Sequence, residues 1–173
     1  MGWRLESITQ LKQHKEKTKM KKLLSTNSDN WAALIARVAL GATVFAHGAQ
    51  KLFGWFGGYG FKGTMGFLTG QAGLPYFVAL LVILIESVAA VMIVAGLFTR
   101  FAALGVFGLF AIIMFKFHSA NGFFMNWAGN QKGEGIEYFI ILLGVALTLI
   151  IAGGGKASVD AALVSSQSPI NKI

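Results

Sequence analysis

The chain has 173 residues, about one domain's worth of sequence, and its 55% hydrophobic against 13% charged composition argues against a water-soluble fold. It contains no cysteine, which excludes disulfide exchange, thiolate metal sites and cysteine-held iron–sulfur clusters within the chain. The net charge of +8 is placed as a topology signal rather than as a nucleic-acid-binding face, because seven of the fifteen basic residues precede the first apolar segment.

In chain order, residues 1–30 form a basic cytoplasmic tail. Trp3, Leu5, Ile8 and Leu11 are spaced so as to permit a weak amphipathic helix on anionic lipid, although a solvated tail is the plainer reading. Met20-Lys-Lys-Leu-Leu looks like the natural start of a bacterial membrane protein, which makes residues 1–19 an extension. Trp31–Phe53 is the first of four apolar stretches near the ~20 residues that span a bilayer core of roughly 30 Å. It is too long, and lies too far from the N-terminus, for a cleaved signal peptide.

Residues 54–74 mix glycine with aromatics, which suits a turn in the membrane interface. The run Gly57-Gly58-Tyr59-Gly60 lacks the strand, helix and Lys-Ser/Thr context of a phosphate loop. Spans at 75–97 and 101–117 come next, joined by a link so short that they must be antiparallel neighbours. A second aromatic loop, 118–135, leads to the fourth span at 136–152, with a C-terminal tail at 165–173. Arg100, Lys156 and Lys172 fall on the side of the basic tail, whereas Lys51, Lys62, Lys116 and Lys132 fall on the other. The expected fold is therefore all-α, a polytopic membrane four-helix up-down bundle with both termini in the cytoplasm.

Ionisable groups inside a span cost roughly 2.5–3.5 kcal/mol each and normally face the bundle interior. At 100° per residue Arg37, Gly41, Val44, Gly48 and Lys51 share one face of the first span, with His47 beside it. Glu86 lies near the midplane in the second span, where it is expected to cluster with Arg37 and His47. Glu137 shares a stripe with Gly144 and Thr148 that would turn it inward, whereas Glu134 and Lys116 are expected to reach water. His47, Lys51, His118 and Glu137 then surround a polar cavity in the outer half of the bundle, with Glu86 below. The competing reading is that these groups only staple helices together. Gly41, Gly48, Gly105 and Gly108 read as close-packing positions.

From about Leu34 to about Leu163 the chain resembles the DoxX family of small bacterial four-helix membrane proteins. The resemblance rests on Arg37-Val-Ala-Leu-Gly41, on Phe45-Ala-His47-Gly48-Ala-Gln-Lys51-Leu-Phe-Gly54 and on Glu86. It continues through Gly96-Leu-Phe-Thr-Arg100, His118 with Asn121-Gly122-Phe123-Phe124, Glu137 and Gly153-Gly-Gly-Lys-Ala-Ser158-Val-Asp160. It implies membrane redox chemistry: the relative DoxD is a subunit of a thiosulfate:quinone oxidoreductase, and DoxX is described as part of a membrane oxidoreductase complex in detoxification. The positions carried over are Arg37, His47, Lys51, Glu86, His118 and Glu137.

The resemblance thus points to a multi-pass protein of the bacterial inner membrane, a subunit of a redox complex with a protein partner. It would bind a quinone or similar small acceptor in the outer half of the bundle. His47, Glu86, His118 and Glu137 would handle protons, with Arg37, Lys51, Trp55 and Trp127 around the ligand and Phe56 and Phe123 adding aromatic walls. A haem between His47 and His118 is disfavoured, because nothing in their helical phases turns the two toward each other. The alternative is a non-enzymatic membrane scaffold or small-solute carrier.

Overall fold

The computed structural model describes residues 24–166, and the regular elements among them are all helical. Helix α1 (Trp31–Phe53) is followed by a 3-10 turn (Trp55–Gly57) and by α2 (Gly60–Gly66), which runs into a π-turn (Phe67–Gln71). Then come α3 (Tyr76–Ala95), α4 (Thr99–Asn121), α5 (Glu137–Ala152) and α6 (Val159–Ser165). The amphipathic N-terminal helix and the Met20 start lie outside the described residues.

Helices α1, α3 and α4, of 23, 20 and 23 residues, are long and apolar enough to cross a membrane. They present Ile35, Leu81, Val91, Leu104 and Ile112 outward, a surface suited to lipid rather than water. The chain is a multi-pass helical membrane protein. Helix α5 is equally apolar but has 16 residues, about 24 Å of helix.

The four apolar helices form a ring in which α1 packs on α3 and α5, and α4 packs on the same two. Gly41 of α1 faces Ala90 and Val94 of α3 while Gly48 faces Glu86, so the two helices run in opposite directions. Gly155, just past α5, lies against Asn30 and Ala33 at the start of α1, which makes α5 antiparallel to α1 as well. The core between them contains Leu40, Val44, Ile93, Val106, Phe110, Leu142 and Leu149. In lipid such a core is held by close packing rather than by exclusion of water, so backbone approach matters. A Cβ on Gly48 would sit 2.1 Å from the Glu86 carbonyl oxygen, and one on Gly41 would sit 2.5 Å from Val94 Cγ2. On α4 the expectation of close packing fails: a Cβ on Gly105 would meet only Ile85, at 3.8 Å, and one on Gly108 would meet nothing within 4 Å.

One end of the bundle is tied by side chains. The Asp160 carboxylate, 2% exposed, accepts the backbone N–H of Phe98 (2.8 Å) and Thr99 (2.9 Å) and the Thr99 hydroxyl (2.8 Å). It thereby caps α4 from 61 residues away in the chain, satisfying donors that a helix start leaves free. This cap starts α4 at Thr99, earlier than residue 101, and holds Phe98 at φ +46°, a strained value for a residue with a side chain. Thr26, from the last stretch of the basic tail, donates to the Ala152 carbonyl and accepts from Gly155 N–H, so that stretch is tied to this capped end.

At the opposite end, the segment expected to be an interfacial turn is largely helical. Met65 of α2 packs on Ala79 and Ile83 of α3, supported by Leu52 and Leu68, so tertiary packing overrides the glycine-rich composition. Gly58 sits so close to Gln50 that a Cβ there would lie 2.3 Å from its carbonyl oxygen.

Candidate functional site

Side chains on a helix lean toward its N-terminus, and in an antiparallel pair this decides which charges meet. Gly48 is level with Glu86, and Lys51, one turn further along α1, leans back onto the Glu86 carboxylate. The two form the one ion pair among the described residues, with Glu86 buried and Lys51 about a quarter exposed. Arg37 leans the same way, toward the start of α1 and so away from Glu86. Its guanidinium, 2% exposed, donates to the carbonyls of Val94, Lys156 (2.9 Å) and Ala157 (2.6 Å) at the capped end. The expected cluster of Glu86 with Arg37 and His47 is formed only in part: Glu86 shares a cavity with His47, but Lys51 takes the carboxylate, and Arg37 is level with Val94, two turns away along α3.

Glu86 lies in a π-helical turn (Ile85–Ala89) and His118 ends another (Met114–His118). Such a turn inserts an extra residue and shifts the phase of the helix beyond it, a device frequent at functional sites. His118 Nδ1 lies 2.9 Å from the Glu134 carbonyl oxygen, and its ring stacks at 4.5 Å on Phe139. A carbonyl can only accept, so this contact puts a proton on Nδ1 and leaves Nε2 as the ring atom available to a ligand.

These groups line one cavity of about 480 Å³ at the loop end of the bundle. His47, Lys51 and Thr43 come from α1, Glu86 from α3, Phe110, Ile113 and His118 from α4, Met125 and Glu134 from the 118–135 loop, and Tyr138 and Phe139 from α5. The volume falls within the ~300–1,000 Å³ typical of small-ligand clefts. The hydroxyl of Tyr138 is buried with no hydrogen-bond partner, unusual for a buried phenol. Lys51 also reaches a second cavity, of about 280 Å³, walled by Gly58, Tyr59, Thr64 and Phe67.

His47, Lys51, Glu86 and His118 are thus brought together as the sequence suggested, and other positions are corrected. Glu137 does not line the cavity: its carboxylate accepts the Met125 N–H at 3.1 Å and anchors the loop. The stripe it shares with Gly144 and Thr148 is the exposed one, and the buried face of α5 is Phe139, Leu142, Ala146 and Leu149. Glu134, expected to reach water, is exposed and also lines the cavity, where it accepts the Asn126 N–H at 2.6 Å. Trp55 (53% exposed), Phe56, Phe123 and Trp127 (87% exposed) form no wall, and Phe110, Phe139 and Tyr138 take that place. Of these missed residues, Tyr138 alone left a signal, a hydroxyl-bearing aromatic beside an acidic helix start.

The sequence pattern of the DoxX family matches residues 32–119, more than half of the chain. The chain belongs to the DoxX family. The match covers α1 to α4 and with them Arg37, His47, Lys51, Glu86 and His118, whereas Glu134, Tyr138 and Asp160 lie beyond it. This DoxX protein is also similar to the inner membrane protein YphA of Escherichia coli strain K12. The two are 28% identical over 131 residues, which is 73% of this chain and 86% of YphA. No solved structure matches it.

Proposed function

We propose that this DoxX protein is a subunit of a redox or detoxification system in the bacterial inner membrane, and that its loop-end cavity binds a quinone or similar small acceptor. What carries the reading is the meeting of His47, the Lys51–Glu86 pair, His118, Glu134 and Tyr138 in a single cavity with Phe110 and Phe139 as walls. Reducing a quinone to a quinol takes two electrons and two protons, so a site needs donors to its carbonyls and groups that hand protons on. Tyr138 and Lys51 can donate to carbonyl oxygen, while His118 Nε2 and the carboxylates can accept and pass protons. The cysteine-free chain holds no iron–sulfur ligands, so the electrons would come from a partner subunit. The name of YphA supports the inner membrane as the location.

The same reading makes α5 a fourth span. It lies alongside α1 and α4, and a helix packed against two spanning helices shares their depth. Both termini would then be cytoplasmic, on the side favoured by the basic residues. The absence of cysteine allows a clean test with single-cysteine variants and a membrane-impermeant maleimide on spheroplasts. Lys132→Cys should react in intact cells, and Ser165→Cys only after permeabilisation; the opposite pattern would invert the topology.

For the cavity, the protein would be purified in mild detergent and its extract analysed by mass spectrometry and absorption. Quinone is expected with the wild type and at least about ten-fold less with His47→Ala and His118→Ala, roughly the loss of one or two hydrogen bonds. A folded wild type that carries only phospholipid would sink the quinone reading and leave the polar cluster as a helix staple.

A further inference from the structure

Between α1 and α5 the protein surface opens into an apolar slot of about 160 Å³. Its walls are Ala39, Leu40 and Thr43 from α1 and Ile141, Leu142 and Val145 from α5, with Tyr138 at one end. Thr43 and Tyr138 belong to both this slot and the polar cavity, so the two spaces adjoin. The Thr43 hydroxyl donates to the Ala39 carbonyl of its own helix (2.8 Å), which leaves the slot walls without a free donor. Ala39, Thr43 and Ile141 are exposed on the lipid-facing rim. The loop side of the cavity is instead covered by Met125 and Glu134.

Depth orders these spaces as it orders an amphiphile in a bilayer. The polar cavity lies toward the loop end, and the slot runs from Tyr138 to Val145 along α5, toward the middle of the helix. We infer that the ligand is a tailed, carbonyl-bearing lipid of the quinone class that enters sideways from the membrane between α1 and α5. Its tail lies in the slot, and a carbonyl of its head accepts the hydrogen bond that Tyr138 otherwise lacks. This rests on the quinone reading of the cavity. A buried phenol O–H without an acceptor is unfavourable, and a ligand carbonyl at the junction of slot and cavity would supply one. No group on the slot walls competes for that role.

The test compares two probes on the full chain in mild detergent: a decyl-tailed benzoquinone and the same ring with a methyl in place of the tail. Wild type should bind the tailed ring at least about ten-fold more tightly, since only that ring has a tail to pack against the slot walls. Ala39→Phe, which fills the slot from its exposed rim, should weaken the tailed ring by about ten-fold and leave the tail-less ring within about two-fold. Tyr138→Phe should weaken both by about five- to ten-fold, as expected for one lost hydrogen bond. Equal wild-type affinity for the two rings, or an Ala39→Phe effect that is absent or shared by both, would overturn the slot while leaving the cavity reading in place. Tyr138→Phe binding both rings as wild type does would overturn the anchoring role of Tyr138. A wild type that binds neither ring would overturn the cavity reading itself, and the slot with it.

Discussion

Replacing Arg37 by methionine is expected to destabilise the protein by about 3–5 kcal/mol, because three carbonyls lose a charged hydrogen-bond donor. Denaturant titration in detergent would read the loss. The guanidinium bonds three carbonyls, Val94 near the C-terminus of α3 and Lys156 and Ala157 in the turn after α5. Carbonyls at a helix end lack intrahelical partners, and a cation there also complements the helix dipole. Gly96 keeps the space open, since a Cβ on it would lie 3.1 Å from Arg37 Nη1 and 2.4 Å from Ser158 Cβ. Methionine fills similar volume but leaves those carbonyls unpaired away from water. Lysine should recover only part of the loss, because a compact ammonium cannot span the carbonyls that a planar fork reaches. The cavity is at the other end of the bundle, so the folded fraction of Arg37→Met should bind ligand as wild type does. Normal stability with lost binding would return Arg37 to the site.

Arg37 also shows where the sequence was legible and where it was not. Apolar length located the membrane-spanning helices α1, α3 and α4, and also the shorter α5, because span length is set by the bilayer and needs no partner. Helical phase put Arg37, Gly41, Gly48 and Lys51 on a common face, and the structure packs Gly41 and Gly48 of that face onto α3. What phase does not carry is the direction in which each side chain leans. That direction sent Arg37 toward the capped end and Lys51 toward Glu86. The π-turns at Glu86 and His118 break the 100° count, and no residue pattern announces them. Asp160 stood in plain sight in a glycine-rich string, yet its role depends on a contact with Thr99 that only the folded chain makes. Glu134 rather than Glu137 lines the cavity although both lie where the 118–135 loop joins α5, and the loop's own hydrogen bonds choose between them.

The second large effect is expected at the Lys51–Glu86 pair, and a double-mutant cycle separates its structural from its functional role. Lys51→Met leaves the buried Glu86 carboxylate without its cation and should cost about 2–4 kcal/mol, somewhat below a fully buried pair because Lys51 is partly exposed. Glu86→Gln should cost less, about 1 kcal/mol, since Lys51 can turn toward the second cavity and the loop end. The double variant Lys51→Met with Glu86→Gln should be more stable than Lys51→Met alone, because no uncompensated charge is left in the bundle. Additive costs would show that the two groups are not coupled. Quinone retention then decides the role. A double variant that regains stability but no longer retains quinone would mean that the charges act on the ligand. If it retains quinone, the pair is a staple between α1 and α3, and the site reduces to His47, His118, Glu134 and Tyr138.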